Sequence, residues 1–148
     1  MTIRLATKSD IQMWVALRVQ LWRDTSHDQH NDEAADMLAG SPHKSVVFLK
    51  VTGDNGLCGF AEASLRYDYV NGCESSPVAF LEGIFVHPDF QGCGIGRQLL
   101  MSVKSWALDR RVTELASDAH IDNVASQAFH RALGFEETDR VVYFRKGL

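Results

Sequence analysis

The segment Gln91-Gly92-Cys93-Gly94-Ile95-Gly96-Arg97 constrains the fold most. It joins an apolar strand candidate, Val78 to Val86, to an amphipathic helix candidate, Ile95 to Asp109. Glycines at every second position leave backbone N–H groups bare, and a helix starting there adds the positive end of its dipole. A strand, loop and helix joined in this way suit a phosphate or pyrophosphate. Leu99, Leu100, Val103, Trp106 and Ala107 give the helix one apolar face. The competing reading is a glycine-rich connection that holds no ligand.

The remaining segments alternate between the two periodicities. Ile3 to Ala6 reads as a short strand, and Ser9-Asp10 can cap a helix carrying Ile11, Trp14, Leu17 and Leu21 on one stripe. Asp24 to Asp32 is polar enough to read as a loop, followed by a helix from Asp32 to Ala39 that Gly40-Ser41-Pro42 ends. Ser45 to Thr52 and Leu57 to Tyr67 flank a Gly-Asp-Asn-Gly turn and predict a hairpin. Glu114 to Ser117 predicts a strand, and Asp122-Asn123 caps a helix running through Leu133, with Gly134 after its end. Val141 to Arg145 predicts a closing strand paired with a shorter one near Glu136 to Thr138. This order is mixed α/β in a single domain spanning residues 1–148, long enough to bury a core without disulfides or metals.

Composition removes several classes of function. A net charge of −4 gives no basic footprint for nucleic acid and fits a cationic small molecule better. Apolar runs are too short for a membrane span, and the N-terminus lacks a signal peptide's apolar centre, so a cytoplasmic protein is expected. Cys58, Cys73 and Cys93 are odd in number and lack CxxC spacing, which predicts free thiols. The six histidines show no HExxH pattern, and no metal is expected.

Two common phosphate loops fail against these letters. Walker A needs Lys and Ser or Thr after its last glycine, where Arg97-Gln98 stand here; a dinucleotide fingerprint needs GxGxxG, but the glycines at 92, 94 and 96 are evenly spaced. Val86-His87-Pro88 followed by Gln91-x-x-Gly94-x-Gly96 resembles the acetyl-CoA loop of the GNAT acetyltransferases. Asn123, Ser126 and the turn Leu133-Gly134-Phe135 resemble that family's final helix and its exit. Tyr69-Val70-Asn71-Gly72, Ser75-Ser76-Pro77, Phe80-Leu81-Glu82-Gly83-Ile84, Ala116-Ser117-Asp118 and Gly134-Phe135-Glu136-Glu137-Thr138 are similar to the aminoglycoside 6′-N-acetyltransferases, and Trp22 agrees.

The resemblance implies a single GNAT fold: a central, mostly antiparallel sheet with splayed central strands and flanking helices. It implies acetyl-CoA as donor, held by the backbone of Ile84, Phe85 and Val86 along the strand, and by Gln91, Gly92, Gly94, Ile95, Gly96, Arg97 and Asn123 around the phosphates. Val86 N–H becomes the candidate donor to the thioester oxygen. The acceptor implied is an aminoglycoside, a polycation, met by Trp22, Thr25, Tyr69, Glu82, Asp118 and Asp139.

Glu82 is the candidate base, directly or through a water, because it is the carboxylate nearest the expected thioester; a salt bridge to a neighbouring Arg or Lys is its alternative. Asp118 competes with a capping role, Asp139 with a solvated acidic turn, and Trp22 and Tyr69 with plain packing. Where many members of the family carry a tyrosine acid, this chain has His130. Thr25 stands where relatives often have histidine, with His27 and His30 close by. Cys93 faces the expected phosphates, whose charge opposes a thiolate, so direct transfer in a ternary complex is expected over an acyl-enzyme. Family members are commonly homodimers, and Val141 to Phe144 could pair across such an interface. A polyamine or protein N-terminus as acceptor, or a noncatalytic acyl-CoA-binding module, are the competing functions.

Overall fold

The computed structural model describes residues 2–148. Its elements are β1 (Thr2–Leu5), α1 (Ile11–Leu21), α2 (His27–Ala39), β2 (Ser45–Val51), β3 (Leu57–Arg66), β4 (Val78–Val86), α3 (Ile95–Asp109), β5 (Leu115–Ser117) and α4 (Val124–Ala132). The strands form one sheet in the order β1-β2-β3-β4-β5, antiparallel except for the parallel pair β4–β5. The expected mixed architecture with a mostly antiparallel sheet is therefore present.

Alternation along the strands builds a core on each face. On β2, Val46 and Phe48 point to the α3 side, where Leu99, Leu100, Val103 and Trp106 pack. Val47 and Leu49 point the other way, to Trp14, Val15 and Leu17 of α1 and Ala34 of α2. The β2–β3 hairpin closes at its predicted turn, where Thr52 N–H donates to Gly56 O at 2.8 Å and Asn55 takes the left-handed conformation. No helix among the described residues is long and apolar enough to cross a membrane.

Two expectations are corrected. The stretch expected as a loop from Asp24 to Asp32 is helical from His27, because the Ser26 hydroxyl accepts Gln29 N–H at 3.1 Å and starts α2 early. α2 buries only His30 and Ala34, so its polar letters describe a solvated helix face rather than a loop. At the C-terminus, the strands expected near Glu136 to Thr138 and over Val141 to Arg145 do not form. Residues 135–148 have no regular structure, and Tyr143 and Phe144 are 90% and 92% exposed. A lone two-stranded ribbon is marginal in water, and β-propensity without a partner strand makes no ladder.

Candidate active site

A bulge in β4 creates the site. The β3–β4 register pairs Ala63 with Leu81 and Glu62 with Gly83, leaving Glu82 as the extra residue. One inserted residue reverses the alternation: Ala79 and Leu81 face α3 before it, and Ile84 and Val86 face α3 after it. On the other edge, β4–β5 pairing stops at Leu81↔Ser117, although β4 continues to Val86. The strands thus splay at Glu82, and residues 82–85 are half-buried in a strand otherwise buried throughout.

Register also decides which backbone groups face the gap. His87 N–H donates to Cys58 O at 2.8 Å, flanking the pair Gly59↔Val86, so that pair exchanges no hydrogen bonds of its own. Val86 and, two residues back, Ile84 therefore turn their N–H and C=O groups away from β3 into the opening. Phe85 alternates: its backbone faces β3, and its ring packs against Phe60 beneath the cleft.

The glycine loop carries this edge to α3. Gly92 and Gly94 both adopt φ of +78°, in the left-handed region, with open space where a Cβ would stand. Gly94 is the N-cap of α3, so the first-turn N–H groups of Ile95, Gly96 and Arg97 lie at the loop mouth. Two loop side chains act as scaffold, and one glycine makes room for a neighbour. Gln91 Nε2 donates to Val86 O at 2.9 Å, tying the loop to β4. Arg97 Nη2 donates to Ala132 O at 3.0 Å, tying α3 to the end of α4. Gly96 admits Phe129, whose Cζ would lie 2.6 Å from a Cβ there. Asn123 caps α4, its Oδ1 accepting Ser126 N–H at 3.0 Å.

The residues expected to meet the acceptor fall into two groups. Trp22, at the end of α1, has its ring against Gly83, next to Glu82. Glu82 is ion-paired: Arg66 reaches both carboxylate oxygens, Nη2 lying 3.0 and 2.8 Å from them, and Ser64 Oγ donates at 2.6 Å. The salt bridge to a neighbouring arginine is thus formed, and Glu82 enters the cleft as half of an ion pair. Asp118 follows β5 and is exposed at the mouth of the splay. Tyr69, 81% exposed, belongs to the second group with Asp139, which Asn71 Nδ2 approaches at 3.4 Å. Gly72 makes that contact close, since a Cβ there would stand 2.4 Å from Thr138. Glu114 holds the base of the same loop by accepting Glu74 N–H, Ser75 N–H and the Ser75 hydroxyl; these donors keep its carboxyl below the ordinary value.

Behind Trp22 lies a buried polar network. Arg18 pairs with Glu62 and Glu33, donates from Nε to His30 Nδ1 at 3.2 Å, and sits 4.8 Å from the Trp22 ring centre. His30 Nε2 meets Trp22 O at 3.0 Å, and Trp14 Nε1 donates to Glu62 at 3.1 Å. Burial is the largest influence on Glu62 and raises its carboxyl above the ordinary value, with Arg18 and Trp14 pulling it down. His30 is fully buried and serves Trp22, while the half-buried Thr25 lies in the turn before α2 and the exposed His27 is the first residue of that helix.

His130 is held from both sides. Its Nδ1 lies 2.7 Å from Ser126 O and its Nε2 2.7 Å from Ser117 Oγ, with Phe135 edge-on at 5.2 Å. The sequence reading missed Ser117, Arg66 and the bulge. Only the bulge had a signal, a glycine beside a carboxylate inside an apolar strand.

Residues 12–135 match the acetyltransferase (GNAT) family. The chain belongs to the GNAT acetyltransferases. It is 50% identical to aminoglycoside N(6′)-acetyltransferase type 1 of Stenotrophomonas maltophilia, over 99% of this chain and 94% of the relative. Among solved structures, it resembles apo aminoglycoside 6′-N-acetyltransferase AAC(6′)-IG of Acinetobacter haemolyticus, with TM-score 0.93 and 41% identity over 100% of this chain and 99% of the other. It also resembles AAC(6′)-Iy in complex with a bisubstrate analogue, CoA-S-monomethyl-acetylneamine, with TM-score 0.89 and 43% identity over 99% and 98% of the two chains.

Proposed function

We propose that this chain transfers the acetyl group of acetyl-CoA to the 6′-amine of an aminoglycoside, by direct attack within a ternary complex. The observation that carries this reading is the bulge at Glu82, which opens a donor edge and places an acidic, aromatic wall beside it. The N–H groups of Ile84 and Val86 hold the donor's arm and the thioester oxygen, while the N–H groups from Gly92 to Arg97 take the pyrophosphate. Phe85 supports the edge from below, and Gln91, Asn123 and Arg97 keep loop and helix in place.

Trp22, Thr25, Tyr69, Glu82, Asp118 and Asp139 receive the sugar rings and ammonium groups. Carboxylates favour the polycation, and the Trp22 face suits a sugar or an ammonium. Glu82, directly or through a water, takes the proton that frees the amine. Arg66 shares that carboxylate, so deprotonation proceeds from a paired Glu82. The enzyme works in the cytoplasm as a homodimer, with the apolar segment Val141 to Phe144 of each copy pairing against the other. Free cysteines fit the compartment, and the exposure of that segment supports the pairing.

Mass spectrometry of products from kanamycin and tobramycin, with a 6′-hydroxyl aminoglycoside and spermidine as controls, tests the substrate. Acetylation of the two 6′-amines alone is expected. Equal modification of the 6′-hydroxyl compound refutes the site of attack, and faster turnover of spermidine refutes the substrate class.

A further inference from the structure

We infer that Ser117 and His130 form one proton shuttle, which carries a proton from the attacking nitrogen to the departing sulfur. The inference rests on the acetyl transfer proposed above. Ser117 is the last β5 residue paired with β4, so its hydroxyl stands at the apex of the splay, 3.3 Å from Leu81 O. That hydroxyl also lies 2.7 Å from His130 Nε2.

The tautomer follows from the other ring nitrogen. Ser126 O lies 2.7 Å from Nδ1, and a carbonyl can only accept, so Nδ1 carries the hydrogen. In the neutral ring, Nε2 is then a lone pair aimed at Ser117, which donates its hydroxyl hydrogen there. Ser126 and His130 are four residues apart on α4, so one helix turn supplies both the ring and the carbonyl that orients it. Phe129 and Phe135 stand edge-on at 6.4 and 5.2 Å and box the imidazole in. A hydroxyl, a base within hydrogen-bond reach and a group orienting the base are the parts of a proton-transfer unit.

The freed amine attacks the thioester carbon, its lone pair forms the C–N bond, and the C=O pair moves onto oxygen. The nitrogen now bears one hydrogen too many. That hydrogen passes to Ser117 Oγ as the hydroxyl's own hydrogen passes to His130 Nε2, leaving a neutral nitrogen and a cationic ring. When the C–S bond breaks, its electron pair goes to sulfur. The sulfur takes the hydrogen from Ser117 Oγ, and Nε2 returns one to Oγ. Nitrogen has lost one proton and sulfur has gained one, so the pair ends as it began and needs no further reactant. The earlier proton, shed by the ammonium before attack, goes to Glu82 or water and does not use the pair.

The test compares wild type with Ser117→Ala, His130→Phe, the double variant and Ser117→Thr. It measures kcat and KM for tobramycin, the dissociation constant for CoA, and the melting temperature. Each single change is expected to lower kcat by roughly 10²-fold or more. CoA affinity and melting temperature stay near wild type, and the double variant is no slower than the slower single, because the residues act as one unit. Ser117→Thr, which keeps a hydroxyl, should retain most of the rate. Full activity of Ser117→Ala, or losses that multiply in the double variant, overturns the shuttle. An acetylated Ser117 found by intact mass during a single turnover also overturns it, by making that hydroxyl a nucleophile. If wild type acetylates no aminoglycoside, the substrate reading fails; if it does and Ser117→Ala is unimpaired, the shuttle alone fails.

Discussion

Gly83→Ala should uncouple Trp22 from the cleft without touching the donor side. A Cβ at residue 83 would stand 2.4 Å from Trp22 Cη2 and 2.5 Å from Cζ2, against an ordinary carbon–carbon separation of about 3.5–4.0 Å. The ring must retreat by about 1 Å or more. It has little room, with the Arg18 guanidinium 4.8 Å from its centre and His30 and Phe60 at 6.2 and 6.1 Å. Overpacking of this kind costs about 1–3 kcal/mol. For a domain of this size, each kcal/mol shifts the melting temperature by about 2–4 °C. The expected result is a melting temperature lower by about 2–12 °C and a KM for tobramycin raised by roughly tenfold, with CoA affinity unchanged. Calorimetry and steady-state kinetics read these together. Combining Gly83→Ala with Trp22→Phe, which shortens the clashing ring, should recover stability but not tobramycin affinity. An unchanged melting temperature in Gly83→Ala, or weakened CoA binding with tobramycin KM intact, would refute the contact or its place in the acceptor site.

Asp10 is nearly fully buried and accepts Arg4 Nη1 and Nη2 at 2.7 and 2.8 Å and Thr7 N–H at 2.8 Å; chiefly through Arg4, its carboxyl is lowered from 3.8 to about 2. A lowered carboxylate stabilises the fold fully above its unfolded value and loses that contribution as pH falls through the folded one, so about 1–2 kcal/mol should vanish between about pH 4 and 2, discounted because Arg4 is half exposed. Urea unfolding at pH 5 and pH 2.5 should show this loss in wild type and much less of it in Asp10→Asn; an identical pH dependence rejects the assignment. Cys93 is exposed in the glycine loop, whereas Cys58 is buried, which pushes its thiol up. A maleimide should modify Cys93 first, and saturating acetyl-CoA should slow that reaction by roughly tenfold. Labelling indifferent to acetyl-CoA would move the donor away from this loop.

Much of the fold was legible because its signals are local. The β2–β3 turn, the apolar face of α3 and the Asn123 cap each need only a few neighbouring residues. α2 was misplaced at its start because solvated helix and loop share a polar composition, and only the Ser26 cap separates them. The C-terminal strand did not form because a run of β-prone residues states a preference for pairing without supplying a partner. Among site residues, the glycine loop could be read as backbone chemistry. Yet the side chains of Gln91 and Arg97 proved to be ties between elements, which no spacing reveals.

The sequence by itself determined the backbone chemistry of the glycine loop. Evenly spaced glycines between an apolar strand and an amphipathic helix dictate bare N–H groups at a helix start, whatever the rest of the chain does. The arrangement around Glu82 was decided by tertiary structure, because its contacts join residues far apart in the chain. The bulge at Glu82 depends on register against β3; the Glu82 ion pair brings Arg66 from that strand; the Ser117–His130 pair meets only because Gly96 lets Phe129 and α4 close onto α3. Local propensity fixes which backbone is exposed. Which side chains share a proton is set by packing across the sheet.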